Sequence, residues 1–203
     1  EANMSPVLQN VSIGLSEEQT MLLDVARGFV RDKAPIEVVR AQLETETGFD
    51  APMWQAMVDM GWAGISLPDT FGGSGMGVGS AVPVFEALGS GLLGTPLLST
   101  TLAGQLIWRA GGESAADWLR RLCGGAVGSV ALLDQADWGA ANVGVELNPD
   151  GTLSGTKRYV ADAGVADIFI AVANEGGAPV LAIVERDALG EVAISRNTLI
   201  DLT

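Results

Sequence analysis

The chain has 203 residues and a formal net charge of −14, from 25 acidic and 11 basic side chains. A field of that sign repels nucleic acid and anionic membrane surfaces; with no histidine and one cysteine, the usual zinc sites are excluded and Cys123 has no intrachain disulfide partner. Hydrophobic residues reach 48%, enough for a sizeable core, yet no run approaches the roughly 18 apolar residues of a membrane span and "EANMSPVLQN" lacks the parts of a secretion signal, so a soluble, cytoplasmic protein is expected.

Helix signals dominate the first 125 residues. Ser16 with Gln19 forms a capping box ahead of Met21, Leu22, Val25, Phe29 and Val30, which share one helical face. Asp50 caps a second segment carrying Trp54, Met57 and Val58, and Gly61 stands where that helix stops. Between residues 72 and 79, five of eight residues are glycine. No frame there fits G-x-G-x-x-G, and no Gly-Lys-Ser/Thr follows, so the loop reads as a surface connection and not as a phosphate cradle. A third helical stretch is expected from about Ser80 to Leu93. Thr95 and Pro96 open another, with Leu98, Leu102, Leu106 and Ile107 on its apolar side and Gly111 past its end. Ser114 with Asp117 starts a short one through Leu122.

After Gly125 the texture changes to short β-branched runs: "VGSVALL", "VGVEL", "TLSG", "IFIAVA", "PVLAIVE" and "EVAIS". "NPDG" at 148 to 151 is a turn, since Pro149 presets φ and Gly151 permits positive φ. Helices first and strands afterwards argue for an α+β chain with segregated domains. The expected division is a helical domain over 1–125 and a small antiparallel, barrel-like β-domain over 126–203. Trp54, Trp62, Trp108 and Trp118 fall in helical or helix-end patterns and read as core. Arg120 and Arg121 read as a solvated helix face, with a salt bridge to another subunit as the weaker alternative. Lys157 and Arg158 read as strand-edge residues with no phosphate role.

Several stretches resemble the acyl-CoA dehydrogenase family of flavoproteins, in the same order and spacing. "LSEEQTMLLDVARGFV" resembles that family's first helix. "FDAPMWQAMVDMGWAGISLPDTFGGSGM" resembles its F-x-x-x-x-W-x-x-M/L-x-x-x-G-x-x-G-I-x-x-P-E-x-Y-G-G-x-G signature, through Phe49, Trp54, Gly61, Gly64, Ile65, Pro68, Gly72, Gly73 and Gly75. "GTKRYVADAGVADIFIAVA" resembles the family's G-x-K-x-W-I-T-N-A-x-x-A-D strand pair, and "NTLIDLT" the strand leading towards its last domain. The resemblance implies a fold of helical domain, middle β-domain and C-terminal four-helix domain. The last is absent from these 203 residues. A β-domain cut after a strand would expose an unpaired edge, so further chain is expected.

The implied activity is α,β-dehydrogenation of an acyl-CoA thioester with FAD as cofactor and an electron-transfer flavoprotein as acceptor. The carboxylate base belongs to the C-terminal domain in relatives, so no catalytic residue is assigned in this chain. The flavin-contacting positions of the family fall on Leu133, Asp134, Tyr159 and Ala161. Leu133 stands for a threonine that hydrogen-bonds the flavin, Asp134 for a glutamate, and Gln135 for a proline. Tyr159 stands for the aromatic, commonly tryptophan, that packs on the ring system. Ala161 stands for a hydroxyl residue that approaches flavin N5, and Asp162 for asparagine. Two hydroxyl donors are gone, which at about 1 kcal/mol each weakens cofactor binding roughly thirty-fold. Acidic Asp134 or Asp137 beside a pyrophosphate would weaken it further, and Trp138 could fill the vacated space. Three readings stay open. One is a flavin-poor subunit paired with a flavin-competent homologue in a heterotetramer, a type for which steroid side-chain thioesters are among the substrates. The others are an ordinary FAD-binding homotetrameric subunit and a non-catalytic scaffold.

Overall fold

The structure, a computed structural model, describes residues 14–111, 115–135, 143–189 and 194–195. Among these, six α-helices precede the strands: α1 (Glu17–Lys33), α2 (Ile36–Leu43), α3 (Ala51–Asp59), α4 (Val78–Ser90), α5 (Leu97–Gly111) and α6 (Ala116–Cys123). The local signals set several ends. Ser16 Oγ accepts the Gln19 amide at 3.1 Å and Gln19 Oε1 accepts the Ser16 amide at 3.0 Å, closing the capping box. Asp50 accepts the Met53 amide at 2.7 Å at the start of α3, and Gly61, at φ 75°, turns the chain after it. Helix α2 has no counterpart in the sequence reading. Its "IEVVRAQL" is rich in β-branched residues, which weakens a helical signal, and it starts behind Pro35, whose φ is already −58°.

Two helices roll away from the faces their leucine and valine spacing suggests. In α5 the buried side is Leu97, Thr100, Thr101, Ala103, Gly104 and Ile107, while Leu98 and Leu102 are exposed. The reason is close approach. A Cβ on Gly128 of the first strand would stand 2.7 Å from Ala103 Cβ, and one on Gly104 would stand 3.1 Å from Leu67. Only the small-residue side of α5 can seat that deeply. In α1 the same shift buries Leu23 and Ala26 and leaves Met21 and Val25 outside, with Leu22, Phe29 and Val30 half-buried against the core. Along its length α1 meets α4, where Gln19 Nε2 donates to Gly79 O at 3.2 Å and Arg27 pairs with Glu86 at 3.3 Å.

The strands are β1 (Gly128–Ala131), β2 (Glu146–Leu147), β3 (Leu153–Ser154), β4 (Ile168–Glu175) and β5 (Ala178–Glu185). The α+β class holds, but the sheet is mixed and not antiparallel throughout. β4 is central: β1 and β2 run parallel to it, β5 antiparallel, and β3 pairs antiparallel with β2. Most of "EVAIS", all of "NTLIDLT", Ser114 and Trp138 lie outside the described residues. The expected turn at "NPDG" forms, with the Gly151 amide on Asn148 O at 2.9 Å and Gly151 at φ 82°.

Helices and sheet share a core. Ile168 and Ile170 of β4 pack with Leu67, Ile107, Leu119 and Leu122. Trp54 and Trp62 are buried as expected, whereas Trp108 is exposed. Arg120 and Arg121 pair inside the chain, with Asp117 at 2.8 Å and with Glu185 respectively. No described helix is long and apolar enough to cross a membrane.

The glycine-rich stretch spends its amides on itself. Gly73, Ser74, Gly75 and Met76 donate to the carbonyls of Pro68, Gly64, Leu67 and Ile65 over 2.8 to 3.2 Å. A phosphate cradle needs those N–H groups free, so the loop is a packed turn. A Cβ on Gly73 would meet Leu67 O at 2.1 Å and Gly64 O at 2.6 Å, and backbone cannot step aside cheaply. Gly73→Ala is therefore expected to destabilise the protein by about 3 kcal/mol or more, whereas Gly75→Ala, with open space but a φ of 66°, is expected to lose only about 1–2 kcal/mol. Urea unfolding of the two variants checks this order, and equal losses would refute it.

Candidate functional site

The two stretches that carry the predicted site residues meet at one β-bridge. Leu133, just past β1, pairs antiparallel with Arg158, whose amide donates to Leu133 O at 2.7 Å. The bridge places Leu133 and Asp134 beside Tyr159. Ala161 follows, with its carbonyl accepting the Ser129 hydroxyl of β1. Strands too short to be read individually from sequence thus bring all four positions together.

Asp134 does not present a bare carboxylate. Its Oδ1 lies 2.7 Å from Lys157 Nζ, and the two side chains are only 11% and 10% exposed. The other oxygen accepts the Gly144 amide at 2.7 Å, and Lys157 Nζ also donates to Leu132 O at 3.1 Å. One ion pair therefore joins the segments at 132–134, 144 and 157. This corrects the expectation that Asp134 would repel a pyrophosphate, because its charge is turned inward and compensated. Lys157 lies beside the Leu133–Arg158 bridge, at the strand edge as read, and is tied there to Asp134. Asp137 lies outside the described residues.

The outer side of this region is apolar and aromatic. Tyr159 is 54% exposed and Leu132 46%, and Ala161 is exposed beside them. Leu133 instead turns inward, with 9% of its surface left. Tyr159 and Asp162 both adopt left-handed backbone, at φ 53° and 55°. That conformation is disfavoured for non-glycine residues by on the order of 1 kcal/mol, so the turn depends on its ties. Asp162 supplies one that the sequence reading did not anticipate, since its Oδ2 lies 2.5 Å from Ser99 Oγ on α5. Burial raises the Asp162 pKa from its ordinary value, and the Ser99 bond opposes that rise. A hydroxyl and a carboxylate 63 residues apart leave no mark in periodicity or spacing.

Flavin binding asks for a flat surface against the ring system and hydrogen-bond donors at its polar edge. The described residues meet the first demand through Tyr159 and Leu132. They do not meet the second. Position 133 is an inward leucine, position 161 is an alanine, and the nearest hydroxyl on β1, Ser129, is fully buried and spent on the Ala161 carbonyl. The set fits a stacking face and not a complete flavin cradle. Cys123 offers no alternative chemistry: it is half-buried against the glycine turn, and burial pushes its thiol pKa up.

Comparison with known proteins gives a consistent picture. Residues 16–126 match the family described as "Acyl-CoA dehydrogenase, N-terminal domain". The chain is 32% identical to acyl-CoA dehydrogenase IpdE2 of Mycolicibacterium smegmatis over 79% of its own length and 44% of that protein's. Among solved structures, a variant of the Tcur3481-Tcur3483 steroid ACAD superposes with a TM-score of 0.78 at 30% identity, over 84% of this chain and 48% of that one. The ChsE4-ChsE5 complex from Mycobacterium tuberculosis gives 0.77 at 27% identity, over 92% and 51%. The chain thus spans about half the length of the relatives it matches.

Removing one member of a buried ion pair leaves its partner uncompensated, at about 3–5 kcal/mol. Asp134→Ala and Lys157→Ala are each expected to lose stability on that scale. The apolar double variant Asp134→Leu with Lys157→Met is expected to recover most of it. Denaturant midpoints at constant m-value report the result, and strictly additive losses would show that the pair is not coupled.

Proposed function

The chain belongs to the acyl-CoA dehydrogenase family, and from that premise we propose that it is a subunit of a flavin-dependent enzyme dehydrogenating an acyl-CoA thioester between its α and β carbons. In this reading the flavin is held mainly by a homologous partner chain, with which this one forms a heterotetramer. The carrying observation is the mismatch at the bridge: an exposed Tyr159 and Leu132 face with no side-chain hydroxyl at 133 or 161. The resemblance to proteins named as a two-component steroid ACAD and as a two-chain complex supports the heteromeric arrangement. It also supports a bulky, steroid-type acyl group as substrate. The protein works in the cytoplasm and passes electrons to an electron-transfer flavoprotein.

The chain's own residues position and enclose in this scheme. Tyr159 offers a flat π surface and Leu132 an aliphatic one. The Asp134–Lys157 pair keeps charge away from that face and holds the bridge that builds it. The base that takes the α-proton comes from the rest of the protein or from the partner chain. Leu133, Asp134, Tyr159 and Ala161 form the degenerate counterpart of a flavin site, not a working one.

The test is flavin stoichiometry in the complex purified after co-expression with the homologous partner, from the visible spectrum and quantified protein. One flavin per two unlike chains is the expected result, and one per chain would make this an ordinary FAD-binding subunit. A complex with full stoichiometry that survives loss of all flavin, with unchanged activity of the partner alone, would favour the scaffold instead. A second experiment restores a donor. Because Leu133 points inward, the donor is added at the exposed position alone: Ala161→Thr supplies one hydrogen bond of about 1 kcal/mol, so flavin binding to this chain is expected to tighten about five-fold. No gain would count against donor loss as the cause.

A further inference from the structure

Between the ends of α5 and α6 and the sheet they cover lies a cleft of about 190 Å³. Its floor is a cross-strand pair, Ile170 of β4 and Ile183 of β5, with Leu181 next along β5 on the same face. Helix α5 contributes Ile107 and Ala110 to the lining and α6 contributes Trp118. Ile170 is fully buried, Ile183 half-buried and Leu181 exposed, so the cleft reaches the surface at Leu181.

The space has a local cause and is held open. Ala110, Gly111 and Ala115 stand where larger side chains would fill it. A Cβ on Gly111 would already lie 2.8 Å from Ala115 Cβ, so the two helix ends cannot draw closer. Helix α5 cannot sink onto the sheet either, because Ala103 and Gly128 already meet at the same close range. On the far side α6 is tied to β5: Arg121 pairs with Glu185 and lies over the Trp118 ring, 4.9 Å from its centroid. Leu181, Ile183 and Glu185 alternate onto one face of β5, so this ion pair spans the two elements at the end away from Leu181.

Walls that cannot collapse leave their apolar atoms short of contacts until something fills the gap. Water fills it poorly. A trapped water needs about two to four polar partners, and among the described residues the lining side chains offer one, the Trp118 indole N–H.

We propose that the cleft binds one small uncharged hydrophobic molecule, the size of a single aromatic ring. The volume sets the size: an apolar cavity of about 150 Å³ holds benzene, whereas drug-sized ligands need roughly 300 Å³ or more. The lining sets the class. A charged group placed there loses its hydration without gaining a counter-charge, since Arg121 and Glu185 already neutralise each other. An aromatic ring also finds a π surface in Trp118. None of Leu132, Leu133, Asp134 and Tyr159 lines the cleft, so its occupancy is measurable whatever holds the flavin.

The test uses the full chain, isotope-labelled at its isoleucine δ1 methyls and followed by NMR, with toluene as the probe. Toluene is expected to shift the methyls of Ile107, Ile170 and Ile183 saturably and to leave those of Ile36 and Ile65 in place. Benzoate, the same ring carrying a charge, is expected to shift none of them. Ala110→Leu fills the cleft from an exposed position and is expected to weaken toluene binding about ten-fold or more. Leu181→Glu, which sets a charge at the mouth, is the second block and decides alone if Ala110→Leu does not fold. No saturable shift, equal shifts at Ile36 and Ile65, an equal response to benzoate, or undiminished binding in a folded variant would overturn the proposal. So would shifts of the three methyls that follow protein concentration without toluene, which would put a second copy in the cleft. Loss of their toluene response in the complex with the homologous partner would overturn it too, by giving the space to that chain.

Discussion

Helix α5 can be seated on β1 only because glycine and alanine meet there. Where Gly128 faces Ala103, there is no room for another Cβ, which would lie at 2.7 Å. The Gly128 amide reaches Thr100 Oγ1 at 3.1 Å, so a strand end and a buried helix face are stitched at their closest point. From that seam the rest follows. β1 sets the parallel register of β4, from Gly128 opposite Ile168 to Ala131 opposite Ala171. β4 then carries the isoleucines that close the core under α5 and α6. One turn earlier on α5, Ser99 is delivered to Asp162. A larger residue at 103 or 128 would lift the helix and separate the helical and sheet parts together.

The same seam explains where sequence reading fell short. Caps and stops are local chemistry, and Ser16, Asp50 and Gly61 act where their sequence neighbours imply. Which face of a helix is buried is not local. Leu98 and Leu102 have regular i,i+4 spacing, yet they lose to Ala103 and Gly104 because approach distance outweighs side-chain hydrophobicity at this contact. Met21 and Val25 lose to Leu23 and Ala26 because it is the latter that pack into the core with Ala81, Val84, Ala87 and Leu88 of α4. The parallel pairing of β1 and β4 was hidden as well, because strand runs show where strands lie and not which way they pair.

At the site, resemblance singled out the positions, and spatial pairing shows how their side chains are placed. Leu133, Asp134, Tyr159 and Ala161 could be named from two motifs more than twenty residues apart, as the Leu133–Arg158 bridge is in sequence. The state of Asp134 could not. A carboxylate in a motif looks the same on a page whether it points outward or is met by Lys157 and the Gly144 amide. Asp162 is the converse case, an acid whose importance lies in a partner on a different element. Both depend on contacts between distant segments, which periodicity does not record.

Magnitudes then decide which feature governs cofactor preference. A net charge of −14 suggests repulsion of any phosphorylated ligand, but charges beyond a Debye length of about 8 Å are largely screened at physiological salt. Among the described residues, the acidic group placed at the bridge, Asp134, is already met by a lysine and an amide. What is left unscreened is the short-range deficit of two donors at 133 and 161, about 2 kcal/mol in all. That deficit is comparable to a thirty-fold change in occupancy, and it acts at contact distance, where salt does not reach. In the proposed arrangement, short-range hydrogen-bond supply at these positions, and not overall charge, is the term that sets whether this chain holds a flavin of its own.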